Sequence, residues 1–271
     1  MIVFPNAKIN LGLFVTSKRS DGYHNLETIF VPIKGYCDIL EVLTNNESQA
    51  DKFTNTGLLI DGKPENNLCL KALRLMRERA NIPLLNIHLH KIIPFGAGLG
   101  GGSADAAFML TLLNEQYNAG LNNDELESMA SQIGADCAVF IRNQTVLAKG
   151  IGNEFAPVDI CLSGLYLTLI IPPIHVPTAL AYKDIKPKET DSPLNELIKM
   201  RINHWQEIIF NDFEESVFKN YPEIEEIKKM LYKNGALYAS MSGSGSSVYG
   251  IFKNKPKLTW GKGNTIFSCK L

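Results

Sequence analysis

"PFGAGLGGGSADAA" (residues 94–107) is the stretch on which the reading of the chain turns: glycines at 96, 98, 100, 101 and 102 precede a serine and a run of small side chains. Glycine lets successive backbone N–H groups converge on an anion, with no Cβ to hold it away. A helix expected to begin at Ser103 adds unpaired N–H groups and the positive end of its dipole. Together these suit a polyphosphate. Two familiar fingerprints fit less well. Gly96, Gly98 and Gly101 satisfy G-x-G-x-x-G, but a dinucleotide fold needs a strand bearing an acid after the next helix, and here a second helix follows. "GAGLGGGS" (96–103) matches G-x-x-x-x-G-K-[ST] except that Gly102 stands where a lysine would neutralise the phosphates. The remaining alternative is a close-packed turn, and so many flexible residues make one costly to order.

Working outward, "AKINLGLFV" (7–15) alternates Ile9, Leu11, Leu13 and Val15 against Lys8, Asn10 and Gly12, the pattern of a strand. "HNLETIFVPI" and "CDILEVL" continue it, and a turn-rich polar stretch runs from Thr44 to about Gly62. Helical spacing through Leu70, Leu73 and Met76 follows, with Asn66 or Asn67 as N-cap, and "LLNIHLHKII" (84–93) returns to strand alternation. A helix from about Asp124 to Ile133 has Asn122 and Asn123 for capping and Gly134 for its C′ position. "SPLNELIKMRINHWQEII" (192–209) reads as one helix, and "YPEIEEIKKMLYKNG" (221–235) as another. "GLYLTLIIPPIHV" (164–176) is too short for a membrane span and reads as a buried strand. "GALYASMSGSGSSVYGIF" (235–252) reads as strand, Gly/Ser loop, then strand or helix. Residues 183–193 look like a surface connection, and a seam is expected in the loop-like 155–163. The class is α+β in two lobes, residues 1–158 and 159–271.

With 271 residues, 45% hydrophobic and 20% charged, a sizeable core is available. The net charge of −1 includes no long stretch dominated by lysine and arginine, which argues against a nucleic-acid partner and an anionic membrane surface. An anionic ligand must then be held locally. Cys37, Cys69, Cys137, Cys161 and Cys269 are odd in number and irregular in spacing, so they read as small buried hydrophobes rather than a disulfide or zinc set. His88 and His90 share a strand face but lack a third ligand. "MIVFPNAKIN" is no signal peptide, so a cytoplasmic protein is expected.

Pro94, Gly98 to Ser103 and the alanines at 104, 106 and 107 resemble the phosphate-binding motif of the GHMP kinases. Three consecutive glycines before serine are similar to the branch that acts on 4-diphosphocytidyl-2-C-methyl-D-erythritol. "PNAKINLGLFV" (5–15) resembles the family's first motif, "RSDGYHNLETIF" (19–30) its substrate loop and "IGADCAVFI" (133–141) its catalytic segment. "HVPTALAY" (175–182) is similar to a substrate-contacting stretch, and "SMSGSGSSVYGIF" (240–252) to the third, glycine-rich motif. "ENNL" (65–68) with Lys91 resembles the adenine side. The motifs follow the family's order from residue 5 to 252.

The resemblance implies a two-lobed GHMP kinase fold of mixed and antiparallel sheets with helices, and an active site in the cleft between lobes. It implies ATP with Mg²⁺, and an alcohol acceptor that carries a cytidine diphosphate group in non-mevalonate isoprenoid biosynthesis. Asp136 would be the base and Lys8 the charge stabiliser. Pro94, Gly96, Gly98, Leu99, Gly100, Gly101, Gly102 and Ser103 would hold the phosphates, with Ser103 near a phosphate or Mg²⁺. Ser242, Gly243, Ser244 and Gly245 would close the other side, and Asn67, Leu68 and Lys91 would meet the adenine. Asn10, Tyr23, His24, Phe30, Thr178 and Tyr182 would contact the acceptor, with His175 nearby. Asp105 stands where asparagine is expected, and would repel phosphate if turned inward. Other readings are a homoserine or mevalonate type of kinase, a decarboxylase of the same fold, or a nucleotide-binding module without catalysis.

Overall fold

The alternation of Ile9 to Val15 becomes a long strand in the computed structural model, which describes residues 1–60, 66–183, 185–188, 192–258 and 263–271. β1 (Ile2–Val3), β2 (Asn6–Lys18), β3 (His24–Cys37), β4 (Ile39–Thr44), β5 (Lys52–Gly57) and β6 (Leu85–Lys91) make up the strands of the first ninety residues. One sheet has the order β1-β4-β6-β5 and is antiparallel except for the parallel pair β5 and β6. Helices α1 (Leu68–Arg77), α2 (Gly101–Gln116), α3 (Asn123–Ile133) and α4 (Val139–Arg142) follow. β7 (Val146–Lys149) and β8 (Glu154–Pro157) extend a second sheet, β2-β3-β7-β8.

The remaining chain builds an antiparallel sheet of order β10-β11-β9-β12, from β9 (Tyr166–Ile171), β10 (Tyr238–Met241), β11 (Val248–Phe252) and β12 (Thr265–Lys270). Its helices are α5 (Thr178–Lys183), α6 (Leu194–Leu197), α7 (Trp205–Ile208), α8 (Phe213–Asn220) and α9 (Pro222–Lys233). Contacts group the chain into two compact units. The first is Met1–Lys8, Pro32–Phe95 and Gly100–Gln144; the second is Ile9–Val31, Gly96–Leu99 and Thr145–Leu271.

Each unit has its own core. In the first, Cys69, Leu73 and Met76 of α1 are buried, as are Leu110 and Leu113 of α2 and Ile87 and Leu89 of β6. Ala104, Ala106 and Ala107 are wholly buried in the first turns of α2, where small side chains permit close helix packing. In the second, Phe213 and Val217 of α8 and Ile224, Ile227 and Leu231 of α9 pack with Leu13, Val15, Ile170, Met241 and Val248. Each such side chain contributes ~1.5–3 kcal/mol on burial.

Several expectations need correction. The polar stretch from Thr44 contains β5, whose polar residues on an exposed edge hide its pattern; the hydrogen-bond ladder from β6 holds it extended. Helix α2 starts at Gly101, with Gly100 as a left-handed N-cap, not at Ser103. Gly134 closes α3 in an extended conformation rather than a left-handed one, although Asn122 and Glu125 form a full capping box. The single helix expected over 192–209 is broken into α6, a 3₁₀ turn and α7, with Arg201 extended and the Trp205 indole donating to the Met200 carbonyl at 2.9 Å. Part of 155–163 is strand β8. Cys161 is exposed and Cys37 and Cys269 are half-buried, so only Cys69 and Cys137 are core residues. Residues 61–65, 184, 189–191 and 259–262 lie outside the described residues, and with them the start of "ENNL" and parts of the 183–193 connection.

Candidate active site

Lys8 leaves β2 opposite Ile9, yet it is not solvated: 4% of its side chain is exposed. Its stem runs along Gly100, where a Cβ would lie 3.2 Å from Lys8 Cε and 3.0 Å from the Phe140 ring. The ammonium reaches Asp136 Oδ2 at 3.3 Å, and 38% of the Asp136 side chain is exposed. Asp136 sits in the turn between α3 and α4, which Cys137 fixes by donating its N–H to the Gly134 carbonyl at 3.1 Å. Burial pushes the Cys137 thiol up to about 11, against a smaller opposing pull from the Ser103 hydroxyl, so it stays protonated at neutral pH. One unit thus brings Lys8, Asp136, Gly100 and Ser103 together. A carboxylate open on one side and held by a buried cation on the other suits proton acceptance beside a transferring anion.

The glycines divide by role. Gly98 has φ +74°, and a Cβ there would lie 1.9 Å from the Ser242 carbonyl. Ser242 Oγ donates to the Gly98 carbonyl at 2.8 Å and accepts from the Asn10 N–H at 3.2 Å, so the hydroxyl expected to meet phosphate is buried as a brace. A Cβ at Gly101 would meet Ile93 Cγ2 at 2.8 Å and Lys91 Nζ at 3.0 Å. At Gly102 the nearest atom would be 3.6 Å away, an ordinary contact. Close packing therefore accounts for Gly98 and Gly101, as the tight-turn alternative requires, while nothing in the fold demands a bare backbone at Gly102. Gly98→Ala is expected to lower Tm by several degrees, because strain and overpacking cost about 1–3 kcal/mol. Gly102→Ala is expected to leave Tm unchanged and weaken nucleotide binding; paired thermal melts and nucleotide titrations check both.

The second unit holds the rest. Asn10 is buried, its amide donating to Thr28 Oγ1 at 3.1 Å and its carbonyl accepting from the Tyr249 hydroxyl at 2.8 Å. Gly243 lies beside it: a Cβ there would be 3.3 Å from Asn10 Oδ1. Gly245 packs on Met241, and Ser244 is half-exposed with its hydroxyl 3.4 Å from that of Thr178. The rings of His24 and Tyr182 lie 5.1 Å apart at 30°, and the edge of Phe213 supports Tyr182 at 4.6 Å. Tyr23 is 62% exposed, with its N–H bound to Asp21 Oδ1 at 3.0 Å.

Two expectations fail on burial. Phe30 is a core residue, 2% exposed, because its face of β3 points inward. Lys91 does not face a base; its ammonium is enclosed by Asp38 and, at 2.7 Å, Asp105. Of the other residues assigned to the adenine side, Asn67 caps α1 by accepting from Cys69 N–H at 2.9 Å, and Leu68 is half-buried. Pro94 is half-buried, and the Leu99 side chain is core, which leaves only its backbone for a ligand. Sequence reasoning missed Asn211. Its amide donates to the carbonyls of Met241 at 2.9 Å and Gly243 at 2.8 Å and so fixes the β10–β11 loop. The only local signal is an Asn two residues before Phe213, whose N–H it caps at 3.0 Å.

The chain also resembles known proteins. The family described as "GHMP kinases N terminal domain" matches residues 67–144, and "GHMP kinases C terminal" matches 194–258. A 4-diphosphocytidyl-2-C-methyl-D-erythritol kinase of Bacteroides fragilis is 54% identical over 261 residues, covering 96% of this chain and 94% of the relative. The chain belongs to the GHMP kinases. A protein of the same description from Parabacteroides distasonis is 53% identical over 268 residues, covering 99% of this chain and 96% of its own. The solved structure of a 4-(cytidine 5'-diphospho)-2C-methyl-D-erythritol kinase superposes with a TM-score of 0.78 at 31% identity, covering 93% of this chain and 90% of that one. As in other GHMP kinases, ATP is the phosphoryl donor. Among the described residues no helix is long and apolar enough to cross a membrane.

Proposed function

We propose that this GHMP kinase transfers the γ-phosphoryl group of ATP to the 2-hydroxyl of 4-diphosphocytidyl-2-C-methyl-D-erythritol, in the cytoplasm, as a step in isoprenoid precursor synthesis. The observation that carries the reading is the Lys8–Asp136 pair at 3.3 Å against the backbone of Gly100. A module that only held a nucleotide needs neither side chain. Asp136 accepts the proton of the attacking hydroxyl, the new P–O bond forms on that oxygen, and ADP leaves. Lys8 lies beside that carboxylate and stabilises charge on the group in flight. Little covalent chemistry falls to the protein, so position and charge dominate.

The acceptor's cytosine fits the His24–Tyr182 stack, backed by Phe213, with exposed Tyr23 as a further flat surface. Stacking on a base contributes ~1–3 kcal/mol. Homoserine and mevalonate have no base to use it. Mg²⁺, when bound, neutralises phosphate charge. Among the described residues no group of three or more His, Cys, Asp or Glu is arranged for a metal. Ser103, in the first turn of α2, would hold the ion beside the nucleotide phosphates.

Phosphorus NMR of a reaction with Mg-ATP and the cytidylated alcohol tests the assignment. A new phosphomonoester signal, one ADP per product and an intact diphosphate are expected; carbon dioxide release, or ATP consumed without a monoester, contradicts it. Lys8→Met is expected to lower kcat by about 10²–10³-fold with KM little changed. A change confined to KM would make Lys8 a binding charge.

A further inference from the structure

The loops Gly96–Leu99 and Ser242–Gly245 contain neither lysine nor arginine. The backbone N–H groups and hydroxyls of these loops carry no full charge, and a cation from another segment of the same unit would strengthen the cradle through a charge-assisted hydrogen bond. The segment 172–177, Pro-Pro-Ile-His-Val-Pro, offers one. It links β9 to α5 without regular structure, and its prolines restrict the backbone. Val176 is buried in the core with Val15, Ile170 and Val248, which pins the segment. His175 beside it is exposed, yet its ring is held against the first glycine of the phosphate stretch: a Cβ on Gly96 would lie 2.5 Å from both Nδ1 and Cε1. Three residues on, Thr178 meets Ser244 of the other loop. Among the described residues no hydrogen bond or ion pair engages either ring nitrogen of His175.

We propose that His175 is a phosphate-binding residue of the kinase, its protonated ring donating a hydrogen bond to a phosphate oxygen seated over Gly96. The proposal rests on the kinase reading above. The phosphate comes either from ATP or from the diphosphate of the acceptor, and the test separates the two. A ring that served only to cover Gly96 would need no charge, and that difference is measurable.

Wild type, His175→Gln and His175→Lys are compared at pH 6.5, varying Mg-ATP at saturating acceptor and then the reverse. His175→Gln is expected to raise one of the two KM values about tenfold with kcat within about twofold, since the lost bond is charge-assisted. The KM that moves names the source of the phosphate. His175→Lys, which restores a cation, is expected to return it to within about threefold of wild type. Unchanged KM values in His175→Gln, or equal losses in the glutamine and lysine variants, overturn the proposal in favour of packing. Should the wild-type enzyme not turn over the cytidylated alcohol, the substrate assignment fails separately. Calorimetric titration of the three proteins with ADP and with CDP then decides: about tenfold weaker binding of one of them to the glutamine variant alone supports the role, and equal affinities refute it.

Discussion

Asp136→Asn is expected to lower kcat by about 10²–10⁴-fold while KM for ATP stays within about threefold, the range for loss of a positioned general base. Asparagine keeps the shape of the side chain and an oxygen to accept from the Lys8 ammonium, so the turn between α3 and α4 is undisturbed. What disappears is the capacity to take the hydroxyl proton. Activity should not vanish, because positioning and phosphate electrostatics account for much of the catalysis in phosphoryl transfer. Steady-state kinetics with a nucleotide titration of the same preparation checks this. Near-normal turnover would remove Asp136 from the chemistry.

Lys91→Met is expected to cost about 3–5 kcal/mol of stability, a fall in Tm of roughly 10 °C. The Lys91 ammonium has no exposure and lies between Asp38 and Asp105, also buried. Asp38 has a second duty, its Oδ1 accepting from the N–H groups of Ile92 at 2.5 Å and Ile93 at 2.8 Å, just before the glycine stretch. Removing the cation would leave two carboxyl groups in apolar surroundings. Thermal melts measure the loss, and an unchanged Tm would show that the cluster is not needed for folding.

The same cluster sets a pH dependence. Burial first, and then the neighbouring Asp38, push the Asp105 carboxyl up to about 8 against the opposing pull of Lys91. Its Oδ1 has no hydrogen-bond partner among the described residues. Between about pH 4 and 8 the folded chain therefore holds a proton that the unfolded chain releases. The contribution of Asp105 to stability is complete below the ordinary carboxylate range and is lost as pH rises through about 8. Asp105→Asn is expected to flatten this decline in urea melts taken at several pH values across that range. An identical slope in the variant would assign the decline to other groups.

These buried charges also show where sequence reasoning stops. Strand alternation placed Lys8 and Asn10 on the polar face of β2, and the order of motifs drew Asp136 and the glycines into one reading; the structure brings Lys8, Asp136 and Gly100 together. The sequence resemblance assigns Lys91 to the adenine side, whereas the structure buries it in an ion cluster. Its partners are 53 residues before it and 14 after it, and no local pattern links them. Gly98 and Gly102 look alike in the sequence, but only one has a carbonyl 1.9 Å from its missing Cβ. Periodicity also overran itself at 192–209, where apolar spacing for one helix is realised as two short helices and a turn. Asn211 acts across the fold on Met241 and Gly243, through bonds between segments that sequence spacing does not reveal.

The central claim is the acceptor. A coupled assay of ADP release, with Mg-ATP and each of 4-diphosphocytidyl-2-C-methyl-D-erythritol, homoserine and mevalonate, tests it most directly. Turnover with the cytidylated alcohol alone is the expected result, and it would make Tyr23, His24 and Tyr182 the residues that select the substrate. Turnover with homoserine or mevalonate, or with none of the three, would contradict the assignment while leaving the GHMP kinase fold in place.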